Sequence, residues 1–300
     1  MNRLRKKLDH LISIKEKALV AYLVAGDPDL DSTLDLMHLF VKSGVDIIEV
    51  GVPFTDPIAE GPIIQKAHDR ALKNNISLPN IIKLVEDFRK VDDSTPIILM
   101  GYLNTFSFHK ELIDKSDQHG VDAVLVVDIP GELSISSYGI SNPNIDSISL
   151  ISPTTSQERI EKIAKNGSGF IYYVTLRGVT GSSNLDVEEI NSNIKKIRSY
   201  SDIPTLAGFG IKSNEDAKLL SEYSDGIIVG SSIVDMITKQ SESDDINRNG
   251  ANAMLKTLEE PPEKTIVFVL ASRLGQVLPT IRSRCILAPL SPLSCLQLKS

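Results

Sequence analysis

Short apolar runs recur along the chain up to about residue 238, and most are continuous rather than alternating: Leu19–Val24, Asp46–Val50, Pro96–Met100, Ala123–Val127, Ser147–Ile151, Phe170–Val174, Pro204–Ala207 and Gly226–Val229. A strand that shows water neither face reads this way, so the pattern predicts a parallel sheet covered on both sides. Between the runs, helical periodicity predicts helices over Ser32–Lys42, Ile63–Asn74, Leu78–Lys90, Lys110–His119, Gln157–Asn166, Val187–Ser199 and Asn214–Glu222. Asp31-Ser32, Ser156 and Ser213 stand where N-caps belong. The stretch Gly131–Asn144 is too rich in Ser, Gly, Asn and Pro for a good helix, so the fourth crossover is expected to be short or irregular. Eight strands with intervening helices predict a (β/α)8 barrel. A doubly wound open sheet is the competing arrangement, since alternation alone does not show closure.

Composition narrows the function classes. Apolar residues make up 41% and charged residues 24% of the 300, a normal globular mix. A net charge of −7 argues against a general nucleic-acid or membrane-surface binder. No apolar run is long enough to span a bilayer, and the basic, amphipathic start Met1 to Asp9 leads into no signal-peptide core, so a cytoplasmic location is expected. Cys285 and Cys295 do not make a disulfide framework and point to a reducing compartment. The histidines lack HExxH spacing and there is no CxxC pair, so no metal site is expected.

The richest chemistry lies in Ile47–Pro62. An apolar strand carries Glu49, and a loop stiffened by Pro53, Pro57 and Pro62 delivers Asp56 and Glu60. Acids held on a rigid loop beside a buried strand suit proton transfer. In a barrel, Glu49, Tyr172 and Tyr173 would lie toward the C-terminal strand ends, where active sites form. Gly208-Phe209-Gly210 and Gly230-Ser231-Ser232 follow the seventh and eighth strands, the usual place for a phosphate site. Glycine lets backbone approach an anion, and a helix starting at Ser231 would aim free N–H groups at it. The plainer reading of these glycines is that they permit tight turns. The loop Arg177–Ser183 reads either as a lid that excludes water or as a simple connection.

The segments IEVGVPFTDPIAEGP, YYVTLRGVTG, GFGI and VGSSIV, with AYLVAGDPD before them, resemble the tryptophan synthase alpha chain in the same order and at similar spacing. The resemblance covers about residues 1–240. It implies a TIM barrel that cleaves indole-3-glycerol phosphate to indole and glyceraldehyde 3-phosphate in tryptophan biosynthesis. It implies no cofactor in this chain and a partner β chain, in an alpha2beta2 assembly, that carries pyridoxal phosphate. By the same resemblance Glu49 is the acid/base, and Glu60 stands where the family has an aspartate, one methylene shorter. Gly181, Gly210, Gly230 and Ser231 match phosphate-binding positions. Tyr22, Leu99, Met100, Tyr172 and Phe209 match the indole pocket, and Thr180 the closing-loop threonine. Pro53 and Asp56 lie in the loop that contacts the β chain.

After about Gln240 the sequence changes character. Asp244–Pro262, Thr265–Ser272 and Leu278–Cys285 resemble the δ′ subunit of the bacterial DNA polymerase III clamp loader, over about residues 243–290. Arg284 then matches an arginine offered to a neighbour's ATP, but no P-loop is present. The expectation is a chimera: a barrel over 1–240 lacking its last helix after about Lys239, and a helix-strand-helix appendage over 241–300. The appendage is too small to bury a core of its own. Ala251, Met254, Leu255 and Leu258 share one helical face that would dock where the missing helix belongs.

Overall fold

The computed structural model describes residues 2–175, 187–208, 211 and 214–241. Among them, nine short strands form one parallel sheet: β1 (Ala18–Val24), β2 (Ile47–Gly51), β3 (Ile97–Gly101), β4 (Ala123–Val126), β5 (Asp146–Ser147), β6 (Ser149–Ile151), β7 (Ile171–Val174), β8 (Thr205–Gly208) and β9 (Gly226–Val229). Their order is β5-β4-β3-β2-β1-β9-β8-β7-β6. The two ends of that order are separated in the chain by Ile148 alone. The sheet therefore returns to its start and makes a barrel, closed except for a break at one residue. The fifth apolar run is a single strand split there, its first part paired to β4 and its second to β7. This decides between the two arrangements left open by the sequence, in favour of the barrel.

The helices are α1 (Arg3–Ser13), α2 (Leu30–Lys42), α3 (Pro62–Lys73), α4 (Leu78–Arg89), α5 (Leu103–Phe108), α6 (Lys110–Ile113), α7 (Gln157–Asn166), α8 (Val187–Arg198), α9 (Asn214–Tyr223) and α10 (Ser231–Ser241). Three details differ from expectation. The helix predicted over Lys110–His119 is one α turn followed by a 3₁₀ turn, Ser116–His119, that stops at Gly120 with φ 96°. The N-cap of α2 is Asp29, whose carboxylate accepts the Ser32 N–H at 2.7 Å; Asp31 sits inside the first turn. The basic N-terminal segment is a helix whose apolar positions Leu4, Leu8 and Leu11 are buried beneath the barrel. The irregular fourth crossover holds only a 3₁₀ turn, Ile135–Tyr138.

Strand alternation sorts the apolar residues into two layers. Ala21, Leu23, Ile48, Val50, Ile97, Leu99, Val124 and Val126 pack outward with helix residues such as Ile81, Val85 and Phe88. Val20, Ile47, Ile98, Leu125, Leu206 and Ile228 point inward and close over the leucines of α1. The lower end of the barrel is thus plugged, which leaves the C-terminal strand ends as the open face. Ion pairs tie the plug in place: Arg5 meets Asp146, and Arg3 and Arg89 converge on the buried Asp122.

The close fit between β1 and β9 yields a stability test. Gly226 is paired with Ala18, and a Cβ at 226 would come within 2.7 Å of the Ala18 Cβ and press on its backbone. Backbone in a barrel wall does not yield easily. Gly226→Ala is expected to lose about 1–3 kcal/mol of unfolding free energy, the usual cost of overpacking, in a urea titration with unchanged m value.

Candidate active site

Glu49 lies in β2, between Tyr22 on β1 and Ile98 on β3. The strand runs two residues beyond it, to Gly51, so the carboxyl stands just inside the barrel mouth rather than at the strand end. It shares the inward parity of Ile47, and its side chain is 3% exposed. Burial, with the Glu60 charge adding to it, pushes its pKa from the ordinary 4.5 to about 8. The same surroundings hold Tyr22 and Tyr172, whose phenols are pushed up by burial first, then by Glu60 and Glu49 at Tyr22 and by Glu49 at Tyr172. The Tyr22 hydroxyl reaches over Gly51, where any side chain would collide with it. That hydroxyl has no hydrogen-bond partner among the described residues.

The loop after β2 brings a second carboxyl to the same place. Tyr102 donates its hydroxyl proton to Glu60 Oε2 and accepts the Ala59 N–H at 3.0 Å. Its ring stacks on Phe54 with centroids 4.6 Å apart. His68 on α3 accepts the Phe54 N–H at Nδ1, 3.0 Å away, and its Nε2 lies 3.9 Å from Glu60 Oε1. Burial lowers the His68 pKa to about 4, so the ring is neutral. Burial also raises the Glu60 carboxyl, while the Tyr102 hydrogen bond pulls it back down. Two carboxyls of different character therefore lie close enough to act on each other: Glu49, protonated near neutrality, and Glu60, hydrogen-bonded to a phenol.

Across the barrel wall, Gly230 follows β9 and its carbonyl accepts the Val234 N–H at 3.0 Å, opening α10. The N–H groups of Ser231, Ser232 and Ile233 form the first turn, where no intrahelical acceptor exists. Gly230 packs against the Tyr22 ring, and Tyr22 is paired with Glu49. Two strand spacings, about 10 Å, thus separate the acid from this backbone. The Ser232 hydroxyl donates to the Ile211 carbonyl at 2.8 Å and ties the start of α10 to the chain beyond β8.

Not every expected residue sits in the site. Leu99 is a correction: it is fully buried in the helix-facing layer with Val50 and Phe106, because residues one apart on a strand face opposite ways. Its neighbour Met100 takes the inward place, beside Val127, Leu150 and Tyr172. Val127, Leu150, Tyr102, His68 and Ser232 are additions that the sequence pattern does not single out. Strand parity is the signal for the first two; for the others, only the fold brings them close. Pro53 is buried beside a separate cavity of about 250 Å³, also lined by Asn104, Thr105 and Phe108, and Asp56 is exposed on the same loop. Thr180, Gly181, Phe209 and Gly210, the lid over Arg177–Ser183, and the tail helix with Arg284 lie outside the described residues, as does the helix expected to be missing after Lys239.

Comparison with known proteins agrees with this geometry. The family profile described as "Tryptophan synthase alpha chain" matches residues 8–262, past the boundary at 240 read from the sequence. The tryptophan synthase alpha chain of Nitrosomonas europaea is 42% identical over 254 residues, 84% of this chain and 92% of that one. That of Neisseria gonorrhoeae is 45% identical over 248 residues, 81% and 94% of the two chains. Among solved structures, tryptophan synthase subunit alpha from Legionella pneumophila superposes with a TM-score of 0.71 at 38% identity, over 81% of this chain and 91% of that one. A tryptophan synthase complex from Pyrococcus furiosus gives 0.65 at 32% identity, over 74% and 90%.

Proposed function

Since this chain belongs to the tryptophan synthase alpha chain family, a family of lyases in tryptophan biosynthesis, we propose that it cleaves indole-3-glycerol phosphate to indole and glyceraldehyde 3-phosphate. What carries the reading is Glu49: a carboxyl inside the mouth of the barrel whose pKa is raised to about 8 by burial. Near neutral pH it holds a proton to give. Cleavage starts when Glu49 protonates the indole ring carbon that bears the side chain. The carbon–carbon bond then breaks, its electrons neutralise the ring, and the side-chain hydroxyl becomes the aldehyde of glyceraldehyde 3-phosphate. The hydroxyl proton returns to the Glu49 carboxylate, so the enzyme ends as it began. No redox partner or cofactor enters this balance.

Glu60 serves the ring's positive charge. While the ring carries the added proton its N–H is acidic, and a nearby carboxylate stabilises it. Tyr22, Met100, Val127, Leu150 and Tyr172 supply apolar and aromatic walls for the indole. The first turn of α10 at Gly230-Ser231 holds the phosphate, and Gly181 and Gly210 match the family's phosphate-binding positions in sequence. Thr180 matches the family's closing-loop threonine in sequence. Pro53 and Asp56 contact a tryptophan synthase β chain, which carries the pyridoxal phosphate and consumes the indole. The clamp-loader resemblance over 243–290 rests on sequence motifs alone, and its first part, to residue 262, is also matched by the alpha-chain family profile.

Indole release from indole-3-glycerol phosphate, measured with and without a β chain, tests the proposal. Release above background is expected from the chain alone, with a rise when the β chain is added. No release under either condition would mean an inactive hybrid. Glu60→Asp is expected to keep or raise the rate, because the charge stays and the shorter side chain restores the family's residue at a place where a misplacement of about 1 Å costs up to ~100-fold.

A further inference from the structure

His68 holds an unused donor aimed at the second carboxyl. The ring is 1% exposed on α3. Its Nδ1 accepts the Phe54 N–H, so in the neutral imidazole the ring proton sits on Nε2. Nε2 has no hydrogen-bond partner among the described residues, although it is buried. A buried N–H without an acceptor is unfavourable, and such groups in native folds usually have a use. The nearest carboxylate oxygen is Glu60 Oε1 at 3.9 Å, too far for a hydrogen bond but within reach of a small side-chain movement. The other oxygen, Oε2, is already held by Tyr102. Among the described side chains, Tyr102 is the one within hydrogen-bond distance of this carboxyl.

Resting on the role given to Glu60 above, we propose that His68 is a positioning residue: in the substrate complex its Nε2–H closes on Glu60 Oε1, so that Tyr102 and His68 clamp both oxygens and hold the carboxylate against the indole N–H. The Phe54 N–H is the other half of the device. By occupying Nδ1 it fixes the tautomer, and through the Phe54–Tyr102 stack it links the two donors into one unit.

Two substitutions separate this role from a merely structural one. His68→Asn keeps an oxygen where Nδ1 accepts from Phe54 but has no donor long enough for Glu60. His68→Gln places an amide N–H near the Nε2 position and gives up the Phe54 acceptor. Positioning predicts that kcat for indole release falls by about tenfold or more in His68→Asn, with KM changed by less than about threefold, while His68→Gln stays within about threefold of wild type. In a Glu60→Gln background the His68→Asn loss is expected to vanish, because there is no carboxylate to aim. The opposite ranking, Asn active and Gln impaired, would show that His68 only supports the Phe54 backbone and would overturn the proposal. Equal losses in both would overturn it as well. A readout free of any variant is the imidazole nitrogen spectrum of isotope-labelled wild-type protein. The proton must be on Nε2 of His68, and finding it on Nδ1 refutes the clamp. If Glu60→Gln releases indole at the wild-type rate, the role of Glu60 has failed and the clamp with it. Unchanged release by His68→Asn, with Glu60→Gln impaired, sinks the clamp alone.

Discussion

Glu49→Gln is expected to reduce indole release by about 100- to 10,000-fold, the range that general acid–base groups contribute. The amide keeps the size and most of the polarity of the carboxyl, so the packing against Tyr22 and Tyr172 is retained. What disappears is the exchangeable proton. Glutamine neither protonates the ring carbon nor accepts the hydroxyl proton, so both halves of the cleavage stop. Substrate binding should persist, with KM or the dissociation constant changed little, because the phosphate and indole contacts lie elsewhere. The check is steady-state release of indole together with a direct binding measurement on the same variant. Full cleavage by Glu49→Gln would transfer the acid/base role to some other group.

The same substitution should change stability in a pH-dependent way, and here the expected effect is opposite in sign. In the unfolded chain the Glu49 carboxyl has its ordinary pKa of 4.5; in the folded protein burial raises it to about 8. Between those values the folded state binds more protons than the unfolded one. Unfolding free energy contributed by this group is therefore fully present below pH 4.5 and is lost as pH rises through 8. A tenfold difference in proton affinity between the two states corresponds to roughly 1.4 kcal/mol, so the loss by pH 8 is a few kcal/mol at most. Glutamine does not titrate and removes that slope. Denaturant unfolding of wild type and Glu49→Gln at pH 5 and pH 8 is expected to show the variant gaining stability relative to wild type at the higher pH. Comparing the two pH values cancels any fixed cost of burying an amide. Parallel stability curves for the two proteins would mean that Glu49 is ionised at neutral pH. Activity and stability are thus set in opposition at one residue, as expected where a titratable group is buried for chemistry rather than packing.

Much of this architecture is legible in one dimension. Continuous apolar runs such as Ala123–Val126 and Gly226–Val229 mark parallel strands because both faces must be covered, and that is a property of local composition. The proline-stiffened acidic loop after β2 is equally local. The N-terminal helix is readable in principle, since Leu4, Leu8 and Leu11 fall on one helical face, but the basic residues between them mask that spacing. Leu99 shows the limit of matching positions without parity: the motif places it near the pocket, and one step of the strand turns it to the helices.

Other features are decided only by long-range contact. Closure of the barrel depends on one run, residues 146–151, pairing with β4 through its first part and with β7 through its second, and no residue pattern marks it. Tyr102 and His68 are separated from Glu60 by 42 and 8 positions, and their convergence follows from where β3 and α3 are packed. The raised pKa of Glu49 is expected in direction from its place on an apolar strand, but its size and the second carboxyl that adds to it come from the fold. The sequence determined that a carboxylate would sit on an apolar strand of a barrel; the tertiary structure decided how far this carboxylate is dehydrated and brought a second one near it. Desolvation and Coulomb repulsion depend on everything within a few ångströms in space, and spacing along the chain carries no record of that distance.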